Sequence, residues 1–359
     1  MTVAVFVLVG LVAAVNGGND VSKGVATLAG AGVTRYRTAI AWGTVTTLAG
    51  CLFSLTVAAK LTALFSKGIV AHPPNSQFTL AVLVGAGTWV GVATLARLPV
   101  STTQAIIGAL VGAGLVVGAS AVHWGALPEK IVLPTVLAVV LAYTISFVLS
   151  LIPERVPECI CIGAAASGVD VTADGALAFT GPPESALVLE TGTVDECRVH
   201  GSAGRRLRVT VNGLHWLSSG ATGFARGLND APKIVAVGAF TLIPAGMTSH
   251  QVLYLVAGAM ALGSLLAGQR VAHRLGDDVV KMSHVEGAKA NLTTAALVGL
   301  AAGKGFPLST TQVSASAIAG AAGTHPSRVN PRTVRDFALA WTVTPVVAAL
   351  VAAAVYAII

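Results

Sequence analysis

Residues 16–23 read Asn-Gly-Gly-Asn-Asp-Val-Ser-Lys, and residues 226–233 read Arg-Gly-Leu-Asn-Asp-Ala-Pro-Lys. About 80 residues after each comes a second matched pair, Leu-Pro-Val-Ser-Thr-Thr-Gln at 98–104 and Phe-Pro-Leu-Ser-Thr-Thr-Gln at 306–312. The offset is 210 from Asn19 to Asn229 and 208 from Ser101 to Ser309. Two motifs repeated in the same order at nearly the same offset make the chain an internal duplication.

The surroundings of these motifs are apolar. Stretches at roughly 2–32, 39–59, 78–96, 99–122, 131–152, 211–242, 249–268, 287–303, 305–324 and 336–359 have few charges. Most are close to the ~20 residues a membrane-crossing helix needs. Of the 359 residues, 54% are hydrophobic and 10% charged, against about 25% charged in a soluble domain. Forty glycines suit helices that approach one another closely in lipid. Met1 to Val15 lacks a basic start and a cleavage site, so it reads as the first membrane segment. With the N-terminus outside and one crossing per segment, fourteen Lys and Arg residues, from Arg35 to Arg335, share one side. Only Lys60, Lys67, Lys130 and Lys304 fall on the other. By the positive-inside rule the rich side is cytoplasmic, which puts both termini outside. The net charge of +7 is then a topology signal and not a nucleic-acid footprint.

Five crossings in the first half turn the second half over. The predicted fold is an all-α integral membrane protein built as an inverted repeat with broken helices, an architecture of many secondary transporters. The segments 99–122 and 305–324 either cross or re-enter as hairpins. The membrane halves are 1–152 and 211–359, and the stretch 153–210 between them is predicted to be a small β-rich cytoplasmic insert. Its β-prone runs are Cys159–Ile162, Ala186–Glu190 and Leu207–Val211. It carries Cys159, Cys161, Cys197 and His200, which are either zinc ligands or reduced thiols on strand positions with a nearby His.

Of fifteen acidic residues, only Asp20 and Asp230 fall in the interior of apolar segments, and they are repeat equivalents; Asp336 stands at the first position of the last segment. A carboxylate at membrane depth marks a substrate or ion pathway by default. The bland reading pairs each with the lysine three positions on, Lys23 or Lys233, but does not explain why both halves keep the arrangement. Glycine or Pro232 at these points predicts a break in the helix. Freed carbonyls with Asn19, Asp20, Asn229 and Asp230 then form a hard-oxygen shell for Na⁺ or a proton. Pro99 and Pro307 stop the preceding backbone from being helical, and Ser or Thr then starts a new helix. Such N-termini offer free N–H groups, hydroxyls and a positive dipole end, which together suit an oxyanion. Two of them, at Ser101-Thr102-Thr103-Gln104 and Ser309-Thr310-Thr311-Gln312, are placed to face each other across one tetrahedral ion.

On the residues Gly17–Lys23, Gly227–Lys233, Pro99–Gln104 and Pro307–Gln312, with Glu286 and Asn291 leading into the second hairpin, the chain resembles the inorganic phosphate transporter (PiT) family, the phosphate permeases. The resemblance spans both membrane halves but not the insert. It implies symport of phosphate with Na⁺ or H⁺ across a bacterial-type cytoplasmic membrane, phosphate held by the Ser-Thr-Thr turns and cations by the Asn-Asp regions. The family usually has His after Ser-Thr-Thr, where this chain has Gln104 and Gln312, which cannot titrate. Sulfate carriers also occur in the family. Protonated phosphate can donate a hydrogen bond to a nearby aspartate and sulfate cannot, which favours phosphate. Arg226 either helps neutralise the anion or anchors a helix end, and Glu286 pairs with Lys289 or serves as a gate. No nucleotide-binding loop, paired base and nucleophile or cofactor motif is present in the sequence, which argues against a pump or an enzyme. A phosphate sensor with the insert as output is the competing class of function. Membrane lipid and the transported ions are the partners expected, and a homodimer is compatible with such a carrier.

Overall fold

The structure, a computed structural model, describes residues 1–71, 75–152, 159–164, 168–171, 177–180, 187–192 and 207–359. Among the described residues, eleven helices of nine residues or more make the membrane part: α1 (Thr2–Asp20), α2 (Ser22–Gly30), α3 (Tyr36–Val57), α4 (Ser76–Leu95), α5 (Thr102–Val117), α6 (Leu133–Ser150), α7 (Val211–Leu242), α8 (Ser249–Asp277), α9 (His284–Lys304), α10 (Thr310–Gly320) and α11 (Pro331–Ile358). Among the described residues, six helical stretches are long and apolar enough to cross a membrane, with α1 and α2 counted as one. Met1–Ile152 and Ser218–Ile359 form one compact unit and Pro153–Leu217 another, so the first seven residues of α7 group with the insert, beyond the boundary expected at 210. In the insert, β1 (Cys159–Ala164) pairs antiparallel with both β4 (Leu187–Gly192) and β5 (Leu207–Thr210), while β2 (Gly168–Val171) and β3 (Leu177–Thr180) form a separate antiparallel pair.

Helix contacts within the larger unit cross from one half to the other. Gly17 on α1 lies against the carbonyl of Met260 on α8, and Gly263 on α8 against that of Ala14 on α1. The other half repeats the arrangement: Gly227 on α7 meets the carbonyl of Thr47 on α3, and Gly50 on α3 that of Phe224 on α7. A Cβ at any of the four would run into backbone. Ala14 and Gly17 become Phe224 and Gly227 at the motif offset of 210. Contacts that swap partners in this reciprocal way are those of a two-fold relation between halves. These glycines therefore serve close crossing, as small residues do in lipid where no hydrophobic drive pulls helices together. The helix break expected at each Asn-Asp pair is correspondingly slight or missing. Val21, between α1 and α2, keeps right-handed helical angles, and α7 runs through Pro232 without interruption. Neighbouring helices can satisfy the one carbonyl that a buried proline frees.

Both candidate re-entrant segments fold back along the preceding helix. Val122, beyond α5, bridges Val70, ahead of α4, and the N–H of Ala71 donates to Ala121 O at 2.8 Å. In the second half the N–H of Asn330, beyond α10, donates to Val279 O, ahead of α9, at 3.0 Å. The Arg328 guanidinium there grips both carboxylate oxygens of Glu286, at 2.7 and 2.8 Å, and donates to Lys281 O. Glu286 also closes a capping box with Ser283 at the start of α9. Its partner is thus Arg328 and not Lys289, whose ammonium instead donates to Leu149 O and Ile152 O at the end of α6. Each half folds two of its apolar segments into one hairpin. Gly263→Val should lower thermal stability in detergent by about 1–3 kcal/mol or more through overpacking. Gly258→Ala on the same helix, where a Cβ meets nothing within 4 Å, should not lower the melting temperature, since alanine in an open helical position is as stable as glycine or more so.

Candidate functional site

The tips of the two hairpins meet at the centre of the larger unit. Ser101 caps α5 by accepting the N–H of Gln104 at 3.2 Å, and Ser309 caps α10 by accepting that of Gln312 at 3.3 Å. Capping leaves Thr102, Thr103, Thr310 and Thr311 in first helical turns, where backbone N–H groups lack in-helix acceptors. All four threonines and both serines are buried. Thr103 Oγ1 donates to Leu308 O at 3.3 Å, and the repeat equivalent, Thr311 Oγ1, donates to Val100 O at 2.8 Å. The two tips are therefore joined by a reciprocal pair of hydrogen bonds. A cavity of about 350 Å³ beside them is lined by Thr103 and Gln104 from one half and Ser309 and Gln312 from the other, with Trp341. The carbonyl oxygens Gln104 Oε1 and Gln312 Oε1 are buried without a hydrogen-bond partner.

The Asn-Asp motifs lie directly against these tips. Asn19 holds the first: its amide donates to Leu98 O at 2.9 Å and to Thr94 Oγ1 at 3.0 Å, and its Oδ1 accepts the N–H of Val100 at 3.1 Å. Asn229 holds the second by donating to Leu308 O at 3.0 Å. Asp20 accepts from Lys23 at 2.5 Å and from Asn16 at 3.1 Å. Asp230 accepts from Lys233 at 3.1 Å and from Asn229 at 2.9 Å, with Arg226 Nε at 3.9 Å. Arg226 is 1% exposed and donates to Thr47 Oγ1 at 3.3 Å and to the main-chain and side-chain oxygens of Asn16 at 3.4 Å. Asn16 in turn donates to Thr102 Oγ1 at 3.0 Å, which links the arginine to the first tip. With all five groups ionised, Lys23, Lys233 and Arg226 outnumber Asp20 and Asp230 by one positive charge. A buried net positive charge beside helix N-termini suits an anion.

The structure thus gathers Ser101–Gln104, Ser309–Gln312, Asn19, Asp20, Lys23, Arg226, Asn229, Asp230 and Lys233 in one place. Asn16, to which sequence reasoning gave no role, belongs with them, and its signal was its position in the motif, 210 residues before Arg226. Glu286 lies at the base of the second hairpin instead. Asn291 is buried against α2, its amide donating to Gly24 O at 3.4 Å. The zinc expectation does not survive at Cys159, which is disulfide-bonded and so is neither a thiolate ligand nor a reduced thiol. Cys197 and His200 lie outside the described residues, as does the side chain of Cys161.

The model of the phosphate transporter family matches residues 16–352. A probable low-affinity inorganic phosphate transporter of Rhizobium meliloti is 29% identical over 371 residues, covering 99% of this chain and 97% of that one. One of Mycobacterium tuberculosis is 28% identical over 354 residues, covering 96% and 74%. A solved structure described as the sodium-dependent phosphate transporter shares the fold, with a TM-score of 0.78 at 22% identity over 99% of this chain and 98% of that one. Asn19→Ala removes the side chain that fixes the first tip and strands the buried N–H of Val100. It should cost roughly 1–3 kcal/mol, read as a lower melting temperature of the purified protein.

Proposed function

We propose that this chain, which belongs to the phosphate transporter family and transports phosphate across a membrane, does so by cation-coupled symport with alternating access. The observation that carries the proposal is the reciprocal bonding of two capped helix N-termini beside a buried cluster of three basic and two acidic side chains. Phosphate binds there by replacing the bonds between the tips. The amides and hydroxyls of Thr102, Thr103, Thr310 and Thr311 turn to its oxygens, with Ser101 and Ser309 setting the two turns. Arg226 and the lysines balance its charge. The buried acceptors on Gln104 and Gln312 add selectivity: a phosphate that keeps a proton can donate to them, and sulfate has no proton to give.

Alternating access follows from an inverted relation between the halves. The tips are held mostly by their own half's asparagine and to each other by two hydroxyls. Breaking the hydroxyl bonds on one face at a time opens the site to one side of the membrane. The orientation that fits the charge distribution has both termini outside and the insert cytoplasmic. Moving one negative charge inward against 100 mV opposes uptake by about 2.3 kcal/mol, and a dianion by about twice that. Co-transport of Na⁺ or H⁺ at the Asn19-Asp20 and Asn229-Asp230 regions cancels it.

Radiolabelled uptake into proteoliposomes tests the reading. Phosphate should accumulate under an inward cation gradient, and excess sulfate should not compete. Arg226→Met should raise the KM for phosphate by roughly 30-fold or more, because truncating one partner of a buried charge pair costs roughly 2–5 kcal/mol. Equal competition by sulfate, or an unchanged KM in the variant, would contradict the assignment.

A further inference from the structure

The two buried ammonium groups of the site have a geometry that charge balance alone does not explain. Lys23 Nζ meets Asn19 O at 3.0 Å, Asn19 Oδ1 at 3.0 Å and Asp20 Oδ1 at 2.5 Å. Lys233 Nζ meets Thr103 Oγ1 at 2.5 Å, Asp230 Oδ1 at 3.1 Å and Leu308 O at 3.2 Å. Each ammonium faces three oxygens, as many as it has protons to donate. Both lysines are buried, at 0% and 1% exposure, so water completes neither shell. Main-chain carbonyl, side-chain amide or hydroxyl, and carboxylate oxygens make up the set that hard cations take. Around Lys23 it is also the oxygen shell expected of Asn19-Asp20 from sequence; around Lys233 the second motif supplies Asp230 Oδ1 alone, and Asn229 Oδ1 and Asp230 Oδ2 are buried without a hydrogen-bond partner.

We propose that Lys23 and Lys233 are tethered cations, which occupy the oxygens of Asn19-Asp20 in one half and of Asp230, Thr103 and Leu308 at the other, and keep free Na⁺ from binding beside either carboxylate. A Na⁺ ion using the same oxygens would sit at hydrogen-bond distance from a like charge in a low-dielectric interior, where repulsion is strong. The lysines lie one turn beyond their aspartates, in helix segments buried at 22–29 and 225–237. The inference rests on the reading of this site as that of a cation-coupled phosphate carrier, and it narrows that reading. With the shells filled, the mobile coupling cation is a proton, exchanged within the charged cluster of Asp20, Lys23, Asp230, Lys233 and Arg226. Phosphate uptake then does not depend on Na⁺.

The test is phosphate uptake into proteoliposomes under a fixed inward pH gradient, with external Na⁺ exchanged for choline. Wild-type initial rates should be equal in the two salts. In Lys23→Gln or Lys233→Gln the shell loses its tethered charge and opens to a free ion. Uptake should then become about tenfold faster in Na⁺ than in choline, within the usual range of coupling between linked ligands. Lys23→Arg keeps the charge and should stay indifferent to Na⁺. Wild-type uptake that fails in choline overturns the proposal, as does a folded glutamine variant that ignores Na⁺. Absence of wild-type uptake under every gradient would instead overturn the carrier reading. Thermal unfolding then judges the lysines separately: Na⁺ should raise the melting temperature of Lys23→Gln and not of wild type, and a rise in wild type counts against the assignment.

Discussion

Five ionisable side chains buried at the centre of a lipid-embedded bundle set the terms for everything around them. Asp20, Lys23, Arg226, Asp230 and Lys233 are each no more than 3% exposed. A lone charge in such a place is prohibitively unfavourable, and a pair persists only when its remaining donors and acceptors are met. The protein meets most of them with its own backbone, and leaves Arg226 Nε and Asp230 Oδ2, 3.9 Å apart, without a hydrogen-bond partner. Lysine ammonium groups reach carbonyls of Asn19 and Leu308, and Arg226 reaches that of Asn16. These carbonyls are available because proline holds the hairpin tips extended and because the helices bearing the charges cross at glycine. The packing of the bundle and the chemistry of the site are therefore one problem with one solution.

Duplication supplies that solution twice and then joins the copies. Each half sends a long helix across its counterpart at a glycine pair, and each sends a hairpin tip to the centre. The tips touch through Thr103 and Thr311, and the helices through Asn16 and Arg226, which occupy the same place in the two motifs. The last pair breaks the symmetry. Where one half has a neutral amide, the other has a guanidinium, which leaves a two-fold frame with one more basic side chain than acidic. An anion can use such an asymmetry.

Much of this was legible in the sequence because duplication turns weak motifs into strong ones. One Pro-x-Ser-Thr is an ordinary helix start, whereas two at an offset of 208 imply a shared site. The helix limits also followed closely from apolar length and caps, as in α7 at Val211–Leu242. What sequence could not give were contacts between distant residues. Val70 with Val122 decides that 99–122 turns back, and nothing local to either valine announces it. Gly17 and Gly227 were read as helix breakers because glycine serves both purposes, and only the neighbouring backbone shows which applies. Glu286 was given Lys289 on spacing alone, while Arg328, 42 residues away, offered a two-pronged match to the carboxylate.

The central claim is that phosphate sits between the two hairpin tips in place of their mutual hydrogen bonds. An experimental structure determined in saturating phosphate tests it most directly. The account predicts a tetrahedral anion within hydrogen-bond distance of Thr103 and Thr311, with the Thr103 to Leu308 and Thr311 to Val100 bonds broken. A phosphate bound elsewhere while both of those bonds stay intact would contradict it.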